Sequence, residues 1–251
     1  MTDLQITAEI YRTLTLFHEP GSVIEIRVLG IPDRGKPHQA SGYFTDFQTA
    51  AKAVASCDAF RSPSGIYFVM NRLNPALLAR SPDRLTDYPQ ATTSDADIIQ
   101  RQWLLIDVDP DRPKGISSSD EELNAARIVA GDARDWLRTE AQFLEPIEAM
   151  SGNGWHLLFP IDLPNDQEST ATVKSILAAV AATFGADKTP DGLPKVTVDT
   201  AVFNPSRITK LYGTVARKGY EIGGRPHRRS EIVSVPDYLK PQAEKGESDA
   251  P

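Results

Sequence analysis

The chain has 251 residues, with 27 Lys and Arg against 34 Asp and Glu, and 40% of its residues are hydrophobic. These figures are ordinary for a soluble globular protein and exclude a wholly disordered or fibrous chain. There is no run of about 18 apolar residues and no basic start followed by an apolar stretch, so we expect a cytoplasmic protein without a membrane partner. Because Cys57 is the single cysteine, a disulfide framework and a cysteine-based zinc site are excluded.

Helical and strand patterns alternate along the chain. In order, we predict a helix over 7–17, strands over 23–29 and 41–44, a helix over 46–56, strands over 65–70 and 102–108, a helix from a capping box at Ser119 to about Glu140, paired strands over 146–150 and 155–161, a helix over 168–184, and strands over 195–199 and 207–213. The nearly continuous apolar run at 102–108 indicates a central strand. The fold class is mixed α/β or α+β, and residues 241–251 are predicted to form a flexible tail or linker.

Positive charge is concentrated late in the chain, although the net charge of the whole protein is −7. Between Pro205 and Ser230, seven Lys and Arg stand against a single acidic residue, Glu221, which gives this segment a local charge of +6. Such a local field attracts phosphates whatever the total charge. The basic residues of the segment are Arg207, Lys210, Arg217, Lys218, Arg225, Arg228 and Arg229, with His227 beside them.

The sharpest local signal is the sequence LLIDVDP at 104–110. Because side chains alternate across a strand, Asp107 and Asp109 are predicted on one face, and Pro110 places them at the strand's end. Two carboxylates without a basic residue between them repel each other unless a cation is bound, and hard oxygen ligands suit Mg²⁺ or Mn²⁺. Such a pair can hold two metal ions about 3.5–4 Å apart. A strand that simply runs into an acidic turn is the competing interpretation.

A second group, Ser151-Gly-Asn-Gly-Trp-His156, lies between two predicted strands. Asn-Gly is a favoured tight turn and needs no function. However, backbone N–H groups at Gly152 and Asn153, with the hydroxyl of Ser151 and the imidazole of His156, also form a set of donors suited to a phosphate. Both interpretations remain open from the residues alone.

A third group follows the strand at 195–199. Asp199 ends that strand as Asp109 ends the earlier one, and it is a candidate third carboxylate for the metal pair. Arg207 can bind phosphate through two parallel hydrogen bonds, and Lys210 adds a point charge. Together with the basic segment, these are the components that metal-dependent transfer involving a nucleoside triphosphate requires.

Taken in order, these motifs resemble those of the archaeo-eukaryotic primase superfamily, and in particular the bifunctional primase-polymerase (prim-pol) domains of prophages, plasmids and CRISPR-associated systems. The resemblance covers roughly residues 40–235. The segments that carry it are GIYFVMN (65–71), TSDAD (93–97), WLLIDVDP (103–110), SGNGWH (151–156), Asp199, NPSR (204–207), LYGT (211–214), RKG (217–219) and RPHR (225–228). Asn71 and Asp97 match this pattern without an evident chemical role, and the aromatic residues Tyr67, Phe68, Trp103 and Trp155 are candidates for either base stacking or the core.

The resemblance implies an α+β fold in which an RNA-recognition-motif-like sheet is packed with an N-terminal α/β module, over about 101–240 and 1–100 respectively. It implies template-directed nucleotidyl transfer on single-stranded DNA, both starting and extending chains, from nucleoside triphosphates and a primer. Asp107, Asp109 and Asp199 would hold the metals, with His156 also catalytic. Nucleotide phosphates would contact Ser151, Gly152, Asn153, His156, Arg207 and Lys210; DNA or phosphate would contact Arg217, Lys218, Arg225, His227 and Arg228.

The resemblance also sets expectations about partners. Related primases often carry a zinc-binding element, and one cysteine cannot build it, so we expect no zinc. Because family members are often fused to a helicase, we expect a helicase domain or partner beyond residue 251.

Two other functions are compatible with the residues. An apolar strand ending in Asp-x-Asp also begins haloacid-dehalogenase-like phosphohydrolases, although those usually have Thr or Val at the position that Asp111 occupies here. A catalytically silent single-stranded-DNA-binding module is the third hypothesis, and it leaves the three acidic positions unexplained, because carboxylates repel phosphates unless a metal intervenes.

Overall fold

The computed structural model describes residues 2–240; the predicted tail at 241–251 lies outside the described residues. The described helices are α1 (Asp3–Phe17), α2 (Phe47–Arg61), α3 (Asp120–Glu140) and α4 (Gln167–Phe184), with short 3₁₀ helices at Pro75–Arg80, Asp95–Asp97, Ala186–Lys188 and Asp237–Leu239. The described strands are β1 (Ile24–Ile31), β2 (His38–Phe44), β3 (Gly65–Val69), β4 (Arg72–Leu73), β5 (Thr86–Asp87), β6 (Ile98–Pro110), β7 (Ile147–Met150), β8 (Trp155–Pro164), β9 (Val196–Val198), β10 (Ile208–Lys210), β11 (Val215–Ala216), β12 (Arg228–Arg229) and β13 (Glu231–Ser234).

Two antiparallel sheets carry the fold, which confirms the α+β class. The first has the strand order β10-β3-β1-β2-β5, and the second has the order β13-β7-β8-β6-β4, with β9 also paired to β6. Strands β11 and β12 form a separate two-stranded ladder. Although β10 follows the second sheet's strands in the chain, it pairs with β3 and so joins the first sheet. The late basic segment therefore begins in the first sheet, at β10, and leads to β13 of the second.

Strand β6 is central, as its apolar run predicts. It is longer than predicted, beginning at Ile98, and it ends at Pro110 as the proline requires. It pairs with β8 along most of its length and with β9 at its end, so that Asp107 lies opposite His156 and Asp109 lies opposite Thr197. Ile106 and Val108 are fully buried, and they fix which face of the strand the intervening aspartates occupy.

Helix α3 begins at the predicted capping box. The backbone N–H of Glu122 donates to Ser119 Oγ at 3.2 Å, and the backbone N–H of Ser119 donates to Glu122 Oε2 at 2.9 Å, so each residue satisfies a free donor of the other. The helix ends at Glu140, as predicted. Its buried face is built largely from alanines, with Val129 and Leu137, which allows the helix to approach the second sheet closely.

Helix α4 bears on the prediction that no membrane span exists. The segment Gln167–Lys188 is long and apolar enough, by length and composition only, to cross a membrane, which by itself is weak evidence for a span. Its residues Val173, Leu177 and Val180 are buried within the core. These apolar side chains are therefore already used in packing the domain.

Candidate functional site

A cleft of about 300 Å³ opens between the two sheets. It is lined by Leu29 and Tyr67 from the first sheet, by Asp107 and Asp109 from β6, and by residues of the β7–β8 turn and β10. The sequence-predicted residues that the fold brings to this cleft are Asp107, Asp109, Ser151, Asn153, His156, Asp199, Arg207, Lys210 and Lys218. Residues separated by more than 100 positions in the chain thus meet at one place.

The two carboxylates on β6 have unequal surroundings. Asp107 Oδ1 is 3.3 Å from Nε2 of His156, and Nδ1 of that histidine is 2.7 Å from the hydroxyl of Tyr212. Burial alone would raise the pKa of Asp107, but His156 and the charges of Lys218 and Arg207 lower it below its ordinary value. Both ring nitrogens of His156 therefore have protein partners in this structure, and its predicted contact with phosphates stays a prediction.

The surroundings of Asp109 disfavour the charged form of its carboxyl group. Burial and the neighbouring Asp107 raise the pKa of Asp109, and Arg112, whose Nη1 is 3.6 Å from Oδ1, only partly offsets them. The backbone passes very close at Gly154, where an added Cβ would lie 2.3 Å from Asp109 Oδ1. This glycine is therefore required for space beside the carboxylate, a role that the Asn-Gly turn pattern did not reveal.

Asp199 is joined to the strand that carries this pair by a backbone hydrogen bond. Its backbone N–H donates to the carbonyl of Asp107 at 2.9 Å, while its carboxylate accepts from the backbone N–H of Ala201 at 2.7 Å. Within residues 2–240, no group of three or more His, Cys, Asp or Glu side chains is gathered as a metal centre. The third-ligand role of Asp199 thus stays a prediction.

The donor set nevertheless fits Mg²⁺ or Mn²⁺. Mg²⁺ is usually bound through one or two carboxylates together with substrate phosphates, rather than by an all-protein cage. Asp107 and Asp109 supply two adjacent carboxylates in one cleft, and burial together with Asp107 raises the pKa of Asp109 by more than Arg112 lowers it. A divalent cation would supply positive charge that favours the ionised pair.

The β7–β8 turn is held rigidly beside the carboxylates. The backbone N–H of Gly154 donates to Ser151 Oγ at 3.0 Å, and Asn153 Oδ1 accepts from the backbone N–H of Ser118 at 2.9 Å. Gly152 has a φ of +104°, and a Cβ there would lie 2.4 Å from the Cβ of Ala216. The turn therefore needs glycine for its geometry, while Ser151 and Asn153 line the cleft.

The basic segment divides into paired and unpaired cations. Four of its arginines form ion pairs with carboxylates: Arg217 and Arg229 with Asp58, Arg225 with Glu122, and Arg228 with Asp120. Contact of Arg217, Arg225 and Arg228 with DNA stays a prediction, as does that of His227, whose Nε2 is 3.1 Å from the carbonyl of Gly219. The other three cations, Arg207, Lys210 and Lys218, have no carboxylate partner among the described residues, and all three line the cleft.

Two of these unpaired cations are held by backbone atoms. Arg207 Nη2 donates to the carbonyl of Ala201, and its buried Nε has no partner in the described chain. Lys210 Nζ donates to the carbonyl of Val215 at 2.9 Å and lies 5.7 Å from the centre of the Tyr67 ring. Burial lowers the pKa of Lys210 to about 7, with Asp58 opposing that shift. An anion in the cleft would restore its positive charge.

Asn71 and Asp95 hold the loop that precedes Arg207. Asn71 Nδ2 donates to the carbonyl of Pro205 at 2.8 Å, while its Oδ1 accepts from the backbone N–H groups of Gln102 and Trp103 at 2.7 and 3.1 Å. Asp95 Oδ1 accepts from both the hydroxyl and the backbone N–H of Ser206. A buried amide thus connects β6, which carries the aspartates, to the loop that carries Arg207.

Of the remaining matched residues, Asp97 and Trp155 are structural. Asp97 accepts hydrogen bonds from Ser94 and pairs with Arg80. Trp155 is 6% exposed and belongs to the core, whereas Tyr67 lines the cleft. Tyr212, the partner of His156, lies in the matched segment LYGT, but a tyrosine in a strand pattern gives no sign of its contacts.

The sequence and the fold compare differently with known proteins. No family model and no curated protein matches the sequence. Among solved structures, the chain is similar to the polymerase domain of Mycobacterium tuberculosis ligase D in complex with DNA, with a TM-score of 0.48 and 16% sequence identity over 90% of this chain and 80% of that one. A likeness at this level does not establish a shared family.

Proposed function

We propose that this protein is a DNA primase-polymerase that transfers nucleotides, with Mg²⁺ or Mn²⁺, onto a chain templated by single-stranded DNA. The observation that carries the proposal is the sorting of charge in the basic segment. Four of its arginines form ion pairs with carboxylates of the protein, whereas Arg207, Lys210 and Lys218 have no such partner among the described residues and line the cleft that contains Asp107 and Asp109. A site with adjacent carboxylates and unpaired cations suits a metal-bound triphosphate, which needs ligands of both kinds.

The ionisable groups Asp107, Asp109, Asp199, His156, Arg207, Lys210 and Lys218 of the cleft each have a role in this proposal. Asp107 and Asp109, with Asp199 as the proposed third ligand, would hold the metal, which supplies charge neutralisation of the triphosphate and activation of the attacking 3′-hydroxyl. Arg207 binds phosphate oxygens through its planar guanidinium, and Lys210 and Lys218 add charge beside the leaving pyrophosphate. His156 orients Asp107 from the neighbouring strand, itself fixed by Tyr212.

The order and spacing of the sequence motifs support the same reaction class. We propose membership of the archaeo-eukaryotic primase superfamily, of the prim-pol type, on the motif pattern together with this cleft. The division near residue 100, the link to prophage, plasmid or CRISPR systems and a helicase partner remain predictions of the resemblance.

The proposal is tested by synthesis on single-stranded DNA, with and without a primer. We expect labelled products from the parent chain with Mg²⁺ or Mn²⁺ and none from Asp107→Ala/Asp109→Ala. Asp111→Ala is the matched control, because Asp111 is exposed, lies just beyond Pro110 and contributes only its backbone N–H to the described contacts. Unchanged synthesis by the double variant would contradict the site. Phosphatase activity without templated synthesis would favour a phosphohydrolase, and DNA binding without either would favour a binding module.

A further inference from the structure

Tyr88 is a strained and exposed aromatic residue outside the cleft. Its side chain is 64% exposed, and its φ of +50° lies in the left-handed region that bulky residues seldom occupy. Such outliers persist only where surrounding contacts fix them, and they concentrate at functional positions. The strain at Tyr88 therefore calls for a reason beyond the turn itself.

The ring of Tyr88 is held flat against a histidine. Its centre lies 4.4 Å from that of His38, with 20° between the ring planes. The hydroxyl donates to Asp33 Oδ2, and the backbone N–H donates to the carbonyl of Gln39 at 3.0 Å. Arg61 in turn donates to Nε2 of His38 at 3.2 Å. One face of the tyrosine ring is thus covered and oriented, while most of its surface remains open to solvent.

This stacked pair lies on a groove that adjoins the cleft. The groove is lined by Gly30, Lys36, Pro37, His38, Gln39, Tyr88 and Pro89. The carbonyl of Gly30, one of its lining residues, accepts from the backbone N–H of Ser64 at 3.2 Å, and Ser64 lines the cleft together with Leu29. The groove and the cleft therefore share a boundary formed by β1 and the residue before β3.

The charges around the groove favour a polyanion. Arg34 and Lys36 are exposed and have no carboxylate partner among residues 2–240. Of the neighbouring acids, Asp87 pairs with Arg61 at 2.7 Å, whereas Asp33 accepts from the hydroxyl of Tyr88 and the backbone N–H of Arg34 and keeps its negative charge. The two exposed cations therefore stand against one uncompensated carboxylate, which leaves an excess of positive charge beside an oriented aromatic ring.

We propose that Tyr88 is a stacking platform for one base of the single-stranded DNA that leads into the cleft, with Arg34 and Lys36 contacting the flanking phosphates. The inference rests on the proposed function, because it names the path of the template strand. Aromatic rings and cations are the two components of single-strand binding that does not depend on sequence, since every base has a face that can stack. Because His38 already holds the Tyr88 ring in place, stacking a base on that ring costs little further conformational entropy.

Anisotropy of a fluorescein-labelled oligothymidylate tests this platform. Tyr88→Asn removes the ring but suits the left-handed backbone, whereas Tyr88→Phe keeps the ring and removes the hydroxyl. We expect Tyr88→Asn to weaken binding by about 5- to 150-fold, the range for stacking one base, and Tyr88→Phe to bind nearly as the parent does. Tyr11→Ala, on helix α1, is the matched control and should leave affinity unchanged.

A salt titration of the same complex gives a second, independent result. Lys36→Ala should make the dependence of log affinity on log salt shallower by about 0.7, as expected for one lost contact with single-stranded DNA. Equal binding by Tyr88→Asn and Tyr88→Phe, with an unchanged salt slope for Lys36→Ala, would overturn the platform. If the parent still synthesised DNA in that case, the proposed function would stand. A parent chain that binds no single-stranded DNA would overturn both.

Discussion

Nε2 of His156 lies 3.3 Å from Oδ1 of Asp107, across the β6–β8 ladder, and this contact makes two neighbouring carboxylates unequal. The histidine and nearby cations lower the pKa of Asp107 against the effect of its burial. Asp109, two residues later on the same face, has its pKa raised by burial and by Asp107. The surroundings therefore favour the charged form of Asp107 and disfavour that of Asp109.

The first prediction concerns the effect of the charged Asp109 on the free energy of unfolding. A carboxyl group with a raised pKa in the folded state binds its proton more tightly there than in the unfolded chain, so its charged form lowers stability at neutral pH. We expect Asp109→Asn, measured without divalent metal, to increase the free energy of unfolding by about 1 kcal/mol. Urea denaturation checks this against Asp111→Asn, which should change stability by less than about 0.5 kcal/mol. A less stable Asp109→Asn protein would contradict this explanation.

The second prediction compares cations of the same segment. Removing Arg207 or Lys218 deletes a charged donor in the cleft, so we expect Arg207→Ala and Lys218→Ala each to weaken nucleoside triphosphate binding by about 10- to 100-fold. Arg228→Ala makes the same change of net charge at a residue paired with Asp120, and it should change nucleotide affinity by less than about threefold. Calorimetric titration of the three variants measures this. Equal losses in all three would mean that overall charge, not the cleft, binds the nucleotide.

The third prediction assigns Asn71 a positioning role. Asn71→Ala leaves two backbone N–H groups and the carbonyl of Pro205 without their partner, which we expect to cost about 2–3 kcal/mol of stability. Because Pro205 precedes Arg207 by two residues, the KM for nucleotide should also rise, while affinity for single-stranded DNA stays unchanged. Steady-state kinetics and anisotropy separate the two effects. An unchanged KM in a folded variant would restrict Asn71 to stability.

Local patterns in the sequence predict part of this site. Strand alternation places Asp107 and Asp109 on one face, and Pro110 marks their position at the strand's end, because both rules act between adjacent residues. The pairing of Arg217 with Asp58 joins positions 159 apart in the chain, and no local rule specifies it. The joining of β10 to β3 likewise depends on tertiary packing, and it determines which cations of the basic segment reach the cleft.

The fourth prediction concerns acid stability and His18. This side chain is buried against Phe68, its Nε2 has no partner within the described chain, and burial lowers its pKa to about 4, partly opposed by a backbone hydrogen bond at Val69. The unfolded chain binds a proton at this histidine near pH 6.5, so stability is lost as the pH falls from about 6.5 towards 4. We expect the parent to lose about 2 kcal/mol more than His18→Phe between pH 7 and pH 5. Parallel losses in urea denaturation would contradict the assignment to His18.

The most direct test of the central claim is the coupling between metal and nucleotide binding. Mn²⁺ binding, followed by electron paramagnetic resonance, is measured with and without a nucleoside triphosphate for the parent and for Asp107→Asn/Asp109→Asn. We expect the nucleotide to tighten Mn²⁺ binding to the parent by at least about tenfold, a coupling of about 1.4 kcal/mol, and to produce no such gain in the double variant. The same gain in both proteins would contradict the claim that this carboxylate pair holds the metal of a nucleotidyl-transfer site.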